Sequence, residues 1–315
     1  MILGGDFGGT RVKLGLVDNG VVTTQAVIES PAKAKSSEWL PALKQSAESL
    51  CQSAGIRLAA LEGMVWALPL VIDPGLRRAT CSFGKFEDTT RGDFCERVEE
   101  LFGVPLLLEN DARAAVIGEW QAGAGRQMAN LAMATLGTGI GTGVIFEGKP
   151  LRGRSGMAGN LGGLSVTHLG TRGADSVPPG CLEGRVATWA LPERASAMPG
   201  FDASSLSGEP RLDYQAVFAH AAQGDSMACR MRDEALEAWG ALTLNLIQAH
   251  DPECVIFGGG IMAAGDVILP AVREFVSRHA VQAGGPVEIV AAKLGLRAAL
   301  IGCEWIWKNA RISMA

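Results

Sequence analysis

The sequence lacks the usual marks of a metal knuckle, a membrane span and a phosphate-binding loop. Its seven cysteines (Cys51, Cys81, Cys95, Cys181, Cys229, Cys254 and Cys303) are odd in number and dispersed, and no C-x-x-C occurs. That excludes a disulfide framework and a zinc ribbon, and points to reduced thiols, mostly buried as small apolar groups. No uncharged apolar run approaches the roughly 18 residues a membrane span needs. The opening MILGGDFGG has neither a basic n-region nor a long apolar h-region, so no secretory signal is read there, and a cytoplasmic protein without a membrane partner is expected. Basic residues are scattered, Arg77-Arg78 being the only adjacent pair, and the net charge is −5. Nucleic acid is therefore not expected as a partner, since phosphate backbones call for clustered Lys and Arg. Neither G-x-G-x-x-G nor G-x-x-x-x-G-K-[ST] is present; in GTGIGTG (137–143), Thr142 stands where the third glycine of the first motif belongs.

What the chain does have is length and glycine. Its 315 residues suffice for two domains, 48% hydrophobic and 19% charged content describe a globular protein, and the 41 glycines cluster. Two stretches resemble each other, ILGGDFGGTRVKLGLVDNG (2–20) and LAMATLGTGIGTGVIFEGK (131–149). Each reads as strand, glycine turn, second strand and a further turn, which suggests two similarly built halves. Helical spacing of apolar residues predicts helices over 36–55, 88–103, 111–123 and 225–251, and apolar runs predict strands within 61–73, over 104–110 and over 254–260. Strands alternating with helices give an α/β class. Residues 167–179 read as a long loop.

Three glycine clusters each close a predicted strand: Gly8-Gly9-Thr10, Gly137-Thr138-Gly139 and Gly258-Gly259-Gly260. Backbone N–H groups in such turns form anion nests, and three of them together can hold a polyphosphate without a lysine. Asp6, at the end of the first strand, suits either Mg²⁺ beside phosphates or an Asx turn. Glu109, Asn110 and Asp111 follow a buried strand and open a helix. Capping accounts for one of them. An aspartate there could also accept the proton of a hydroxyl that attacks a terminal phosphate.

Taken in order, these segments resemble the ROK family (repressors, open reading frames and sugar kinases). GGDFGGTRVKLGLVD looks like its first phosphate motif, TLGTGIGTGVIFEGKPLRG like its second, ENDARAAVIGEW like its catalytic segment, VIFGGGIMAAGD like its nucleotide-side motif, and LGLRAALIGC (294–303) like its closing helix. The resemblance implies the actin-like (RNase H-like) ATPase fold, with two α/β domains closing over a cleft that takes ATP and a sugar, and a homodimer. It implies an N-terminal domain over 1–110, joined by the C-terminal helix at 295–315, and a larger domain over 111–294. Carried over by position, Asp111 matches the catalytic base, and Asn110 and Glu183 match sugar contacts. Asp6, Gly8, Gly9 and Thr10 match the phosphate and Mg²⁺ site, Thr138 and Gly139 the second phosphate turn, and Gly258, Gly259 and Gly260 the nucleotide side.

The departures are specific. Where the family commonly reads A-G-E-x-G-H, this chain reads AGNLGG, so Asn160 replaces an acid and Gly163 a zinc-ligating histidine. The family's C-x-C-G-x-x-G-C corresponds to GTRGADSVPPGC (170–181), which keeps only Cys181, and no structural zinc is expected. In CSFGKFED (81–88), Ser82 stands where many members have a sugar-loop asparagine. An amide at 160 offers one acceptor and one donor group without charge, so sugar preference should differ from that of glucose-type members. The expected function is ATP-dependent phosphorylation of a sugar hydroxyl. The alternative is a catalytically degenerate sugar or nucleotide sensor; with the phosphate motif starting at residue 4, no room is expected for a DNA-binding segment.

Overall fold

The computed structural model describes residues 1–162, 180–281 and 284–314. In chain order the strands are β1 (Ile2–Phe7), β2 (Arg11–Asp18), β3 (Val21–Glu29), β4 (Met64–Leu68), β5 (Val71–Ile72), β6 (Ala79–Cys81), β7 (Leu106–Asn110), β8 (Leu131–Leu136), β9 (Ile140–Phe146), β10 (Lys149–Pro150), β11 (Cys254–Gly258) and β12 (Glu288–Ala291). The α-helices are α1 (Ser36–Ser53), α2 (Phe94–Phe102), α3 (Asp111–Ala122), α4 (Leu182–Val186), α5 (Leu191–Ser196), α6 (Tyr214–Ala222), α7 (Ser226–His250), α8 (Gly265–His279) and α9 (Ala298–Met314). None of the described helices is long and apolar enough to cross a membrane.

Two five-stranded sheets share one plan, with orders β3-β2-β1-β4-β7 and β10-β9-β8-β11-β12. In the first, β1 pairs antiparallel with β2 and parallel with β4, and β4 pairs parallel with β7. In the second, β11 pairs parallel with both β8 and β12. The repeated strand–turn–strand pattern of the sequence thus begins each sheet.

The chain forms two compact units. The first comprises 1–128, 143–159 and 293–315, and the second 129–142 and 160–292. Helix α3 and the 143–159 stretch therefore sit with the N-terminal sheet. Close backbone approach fixes this arrangement: a Cβ on Gly118 of α3 would lie 1.9 Å from the Ala298 carbonyl oxygen, and one on Gly302 of α9 1.9 Å from that of Ala114. The two helices touch backbone to backbone. Buried Glu119 ties the same elements together, accepting from the N–H groups of Ala124, Lys293 and Leu294 at 2.8, 3.1 and 2.7 Å.

The core of the first unit is aromatic. Phe7, Trp39, Trp66, Phe86, Phe94 and Phe102 form a cluster with contacting ring centroids 5.0–6.5 Å apart, which packs β1 and β4 against α1 and α2. Helix α2 starts later than the predicted 88–103, at Phe94; Glu87–Thr90 form a separate 3₁₀ turn before Gly92 interrupts the helical pattern. Five of the seven cysteines are buried, and all seven are free thiols. Burial pushes the Cys95 and Cys254 thiols up to about 12.

Candidate active site

In an open parallel sheet, ligands collect at the carboxyl ends of the strands. Strands β1, β4 and β7 run parallel, so their carboxyl ends share one edge of the first sheet. Asp6 pairs with Ala67, and Ala67 pairs with Glu109. Asp6 and Glu109 therefore lie in one row, two strand spacings or roughly 10 Å apart. Immediately beyond them come the Gly8–Thr10 turn and Asn110-Asp111. This edge brings together the first glycine turn and the aspartate that the sequence marks as a base.

The turn is closed by the Gly8 N–H donating to the Arg11 carbonyl at 2.9 Å, and Ser30 Oγ donates to the Gly8 carbonyl at 2.6 Å. Thr10 is exposed. Across the hairpin, Lys13 stands opposite Asp6, and its Nζ lies 2.6 Å from Asp6 Oδ2, with both side chains largely sheltered from solvent. Among the described residues, no three His, Cys, Asp or Glu side chains gather to hold a metal on their own. Mg²⁺ needs no such cage, because it takes one or two carboxylates and completes its shell with phosphate and water. Asp6 fits that role once Lys13 yields the contact.

Asn110 caps α3: its side-chain oxygen accepts from the Arg113 N–H at 3.0 Å, while Nδ2 donates to the Leu70 carbonyl at 3.2 Å. Asp111 is the first residue of the helix. Its Oδ1 accepts from the Ala112 N–H at 2.8 Å and from Asn110 Nδ2 at 3.3 Å, which fixes the carboxylate's orientation. A helix N-terminus is also a favourable place for negative charge. Behind them, fully buried Glu109 bonds Arg113 Nη1 at 2.8 Å and Arg152 Nη2 at 2.7 Å. Burial alone would raise its pKa, but the two guanidinium groups outweigh that and hold it below the ordinary carboxylate value. Ser82, half-buried after β6, engages Lys85 through its carbonyl at 3.0 Å.

The second unit assembles the other two glycine clusters. Gly258 pairs with Thr135, so the turns after β8 and β11 are neighbours at one sheet edge. They press together: Gly259 has φ +92°, and a Cβ there would lie 2.2 Å from the Leu136 carbonyl oxygen. Thr138 is exposed at the tip of its turn, which the Gly137 N–H closes on the Gly139 carbonyl at 3.0 Å. Glu183, next to the start of α4, accepts from the Ile140 N–H at 2.9 Å, and its Oε1 fills the space where a Cβ on Gly139 would go. The residue assigned to the sugar by resemblance is thus bonded to the strand that leaves the 137–139 glycine turn. Asn160 enters a segment pinned by buried Thr142, whose hydroxyl accepts from the Leu161 and Gly162 N–H groups at 2.6 and 3.0 Å. Gly163 and most of the 170–181 stretch fall outside the described residues.

Against this geometry, the class of molecule is clear: an actin-like ATPase fold whose glycine turns lie at strand ends. The chain belongs to the ROK family, whose model matches residues 2–310. It is 30% identical over 322 residues to a glucokinase of Thermotoga maritima, covering 98% of this chain and 97% of that one. Over 277 residues it is 29% identical to an N-acetylmannosamine kinase of Citrobacter koseri, covering 87% and 88% of the two chains. The crystal structure of a ROK family glucokinase from Streptomyces griseus, in complex with glucose and AMPPNP, superposes with a TM-score of 0.80 at 27% identity, covering 97% of this chain and 98% of that one. The chain is accordingly a sugar kinase of that family.

Proposed function

We propose that this kinase transfers the terminal phosphoryl group of ATP to a sugar hydroxyl, with Asp111 as general base. The observation that carries the reading is the placement of Asp111. It heads a helix at the carboxyl edge of a parallel sheet, its carboxylate oriented by Ala112 and Asn110, on the same edge as Asp6 and the Gly8–Thr10 turn.

In this reading, Asp111 accepts the proton of the attacking hydroxyl as its oxygen bonds to the γ-phosphorus. The bond from that phosphorus to the bridging oxygen breaks, and ADP leaves with the electron pair. Backbone N–H groups of the glycine turns donate to phosphate oxygens. Asp6 would hold Mg²⁺, which supplies neutralisation of phosphate charge. Lys13, released from Asp6, adds a cation at the same turn. The reading extends to Asn110, Asn160, Glu183 and Ser82 as the side that meets the sugar, and to a homodimer working in the cytoplasm. Sedimentation velocity reads the oligomeric state directly.

ADP release across glucose, mannose, N-acetylmannosamine, ketoses and polyols tests the core of the proposal. At least one sugar should drive ATP-dependent turnover. Clear ATP binding with no ADP release from any of them would replace it with the sensor reading. In the same panel, Asn160→Glu should change the preference between sugars about tenfold or more, because a carboxylate makes charge-assisted bonds worth about 1.5–3 kcal/mol each. An unchanged profile would remove Asn160 from the sugar side.

Gly139→Ala separates Glu183 from the turn. The clash is with the far end of a flexible side chain, so the variant should fold normally. Displacing Glu183 breaks its bond to the Ile140 N–H, and kcat/KM should fall roughly ten- to hundredfold. Wild-type turnover in this variant would show that the contact is dispensable.

A further inference from the structure

Strand pairing sets four residues in one row across the first sheet: Lys13 on β2, Asp6 on β1, Ala67 on β4 and Glu109 on β7. Asp6 and Lys13 are direct antiparallel partners, so their side chains share a face, with Cβ atoms about 4.5–5.5 Å apart. Lys13 Nζ lies 2.6 Å from Asp6 Oδ2, and the two side chains are only 20% and 14% exposed. On its other side Asp6 meets Ala67, which contributes no more than a methyl group. At the far end of the row, Glu109 is held by Arg113 and Arg152 at 2.8 and 2.7 Å. Both carboxylates of the row thus carry cations supplied by the chain itself, and all of these residues belong to the first compact unit.

The charges at this edge balance. Glu109 with its two guanidinium groups is net positive, and Asp111, two residues further on, offsets that excess. Asp6 and Lys13 cancel each other. Removing Lys13 would leave a sheltered carboxylate and an edge of net negative charge, the setting that draws a divalent cation. With Lys13 in place, a bare divalent cation has to displace the ammonium and then sit beside it. Like charges that close repel strongly where solvent is partly excluded. A cation that arrives on a polyphosphate meets a different balance, because phosphate oxygens offer the ammonium a new anionic partner. Lysine suits such an exchange, being a compact charge on a flexible four-carbon stem.

We propose that Lys13 is a metal-admission residue. It neutralises Asp6 in the free protein, so that a divalent cation reaches Asp6 only together with phosphate. Lys13 acts through Asp6 and positions the metal without ligating it. This rests on the reading in which Asp6 holds Mg²⁺.

Mn²⁺ alone, which takes oxygen ligands as Mg²⁺ does, is titrated into the full chain without nucleotide or sugar and followed by electron paramagnetic resonance. Lys13→Met should bind Mn²⁺ at least tenfold more tightly than wild type. Lys13→Gln keeps a hydrogen bond to Asp6 without the charge; it should move the same way by a smaller factor, and it serves if the methionine variant does not fold. Lys13→Arg keeps the charge and should stay within threefold of wild type. Adding Asp6→Asn to Lys13→Met should return the affinity to the wild-type level. Equal affinity in wild type and the neutral variants, a gain with Lys13→Arg as large as with Lys13→Met, or a gain that survives Asp6→Asn would each overturn the proposal. The titration needs no turnover, so wild-type inactivity toward every sugar would count against the kinase reading, while the role of Lys13 would still be scored.

Discussion

Replacing Asp111 with asparagine should abolish phosphoryl transfer in practice, lowering kcat by roughly 10²–10⁴-fold, the usual contribution of a general base. The substitution is nearly isosteric. Its amide oxygen can still accept from the Ala112 N–H as Asp111 Oδ1 does, and Asn110 keeps its capping bond to Arg113. The fold and the glycine turns should therefore survive. What is lost is the ability to take a proton, and nothing in an amide replaces it at neutral pH. Steady-state ADP release and calorimetric titration with a nonhydrolysable ATP analogue check the two halves of the expectation: turnover gone, nucleotide affinity within about threefold. Near-normal turnover would remove Asp111 from the role of base.

The largest expected effect on stability belongs to Gly302 and its neighbour across the helix pair, Gly118. Alanine in an exposed helix interior normally gains about 1 kcal/mol over glycine. Here the sign should reverse. A Cβ on Gly302 would sit 1.9 Å from the carbonyl oxygen of Ala114, and one on Gly118 1.9 Å from that of Ala298. The obstructing atoms are backbone, so no rotamer change relieves the overlap and the helices must separate. Overpacking typically costs about 1–3 kcal/mol, and a backbone clash of this depth should reach or exceed the upper end. At a few degrees per kcal/mol, thermal melts should show a Tm lower by about 6–12 °C for Gly302→Ala. A Tm at or above wild type would mean that α3 and α9 do not cross as closely as described. Because α3 begins with Asp111, activity in this variant should fall further than the loss of folded protein explains.

The glycine turns are legible in the sequence because a turn is set by its own few residues. A run such as Gly8-Gly9-Thr10 between two alternating strands can hardly form anything but a turn, and all three clusters lie at strand ends in the fold. Lys13 carries no motif of its own, although the hairpin implies its place: positions 6 and 13 are symmetric about the turn and pair in register. Arg113 and Arg152 are legible only in part: Glu109 and Arg113 stand four apart in the sequence, but the carbonyls that Arg113 meets lie in a segment without periodicity, and the carboxylate that Arg152 meets is 43 residues away. In the sequence Glu109 is one of three polar residues at a strand end, and only its burial in the fold shows the ion pairs with Arg113 and Arg152. The helical spacing over 88–103 overreaches at its start because residues 87–90 wind into a turn of their own. The pairing of α3 with α9 was equally hidden. It depends on a close fit between two glycines 184 positions apart (302 − 118), and neither one signals the other.

The closure of the first unit by α9 also sets a timetable for biosynthesis. Helix α9, which packs on β1 and β4, follows β1 in the chain by about 290 residues. At about 5–20 residues per second, the apolar face that α9 will cover waits roughly 15–60 s. The whole 160–292 stretch is made within that interval. The nascent chain must therefore carry an open first sheet until α9 has been made, which makes it a natural client for chaperones that bind exposed apolar surface.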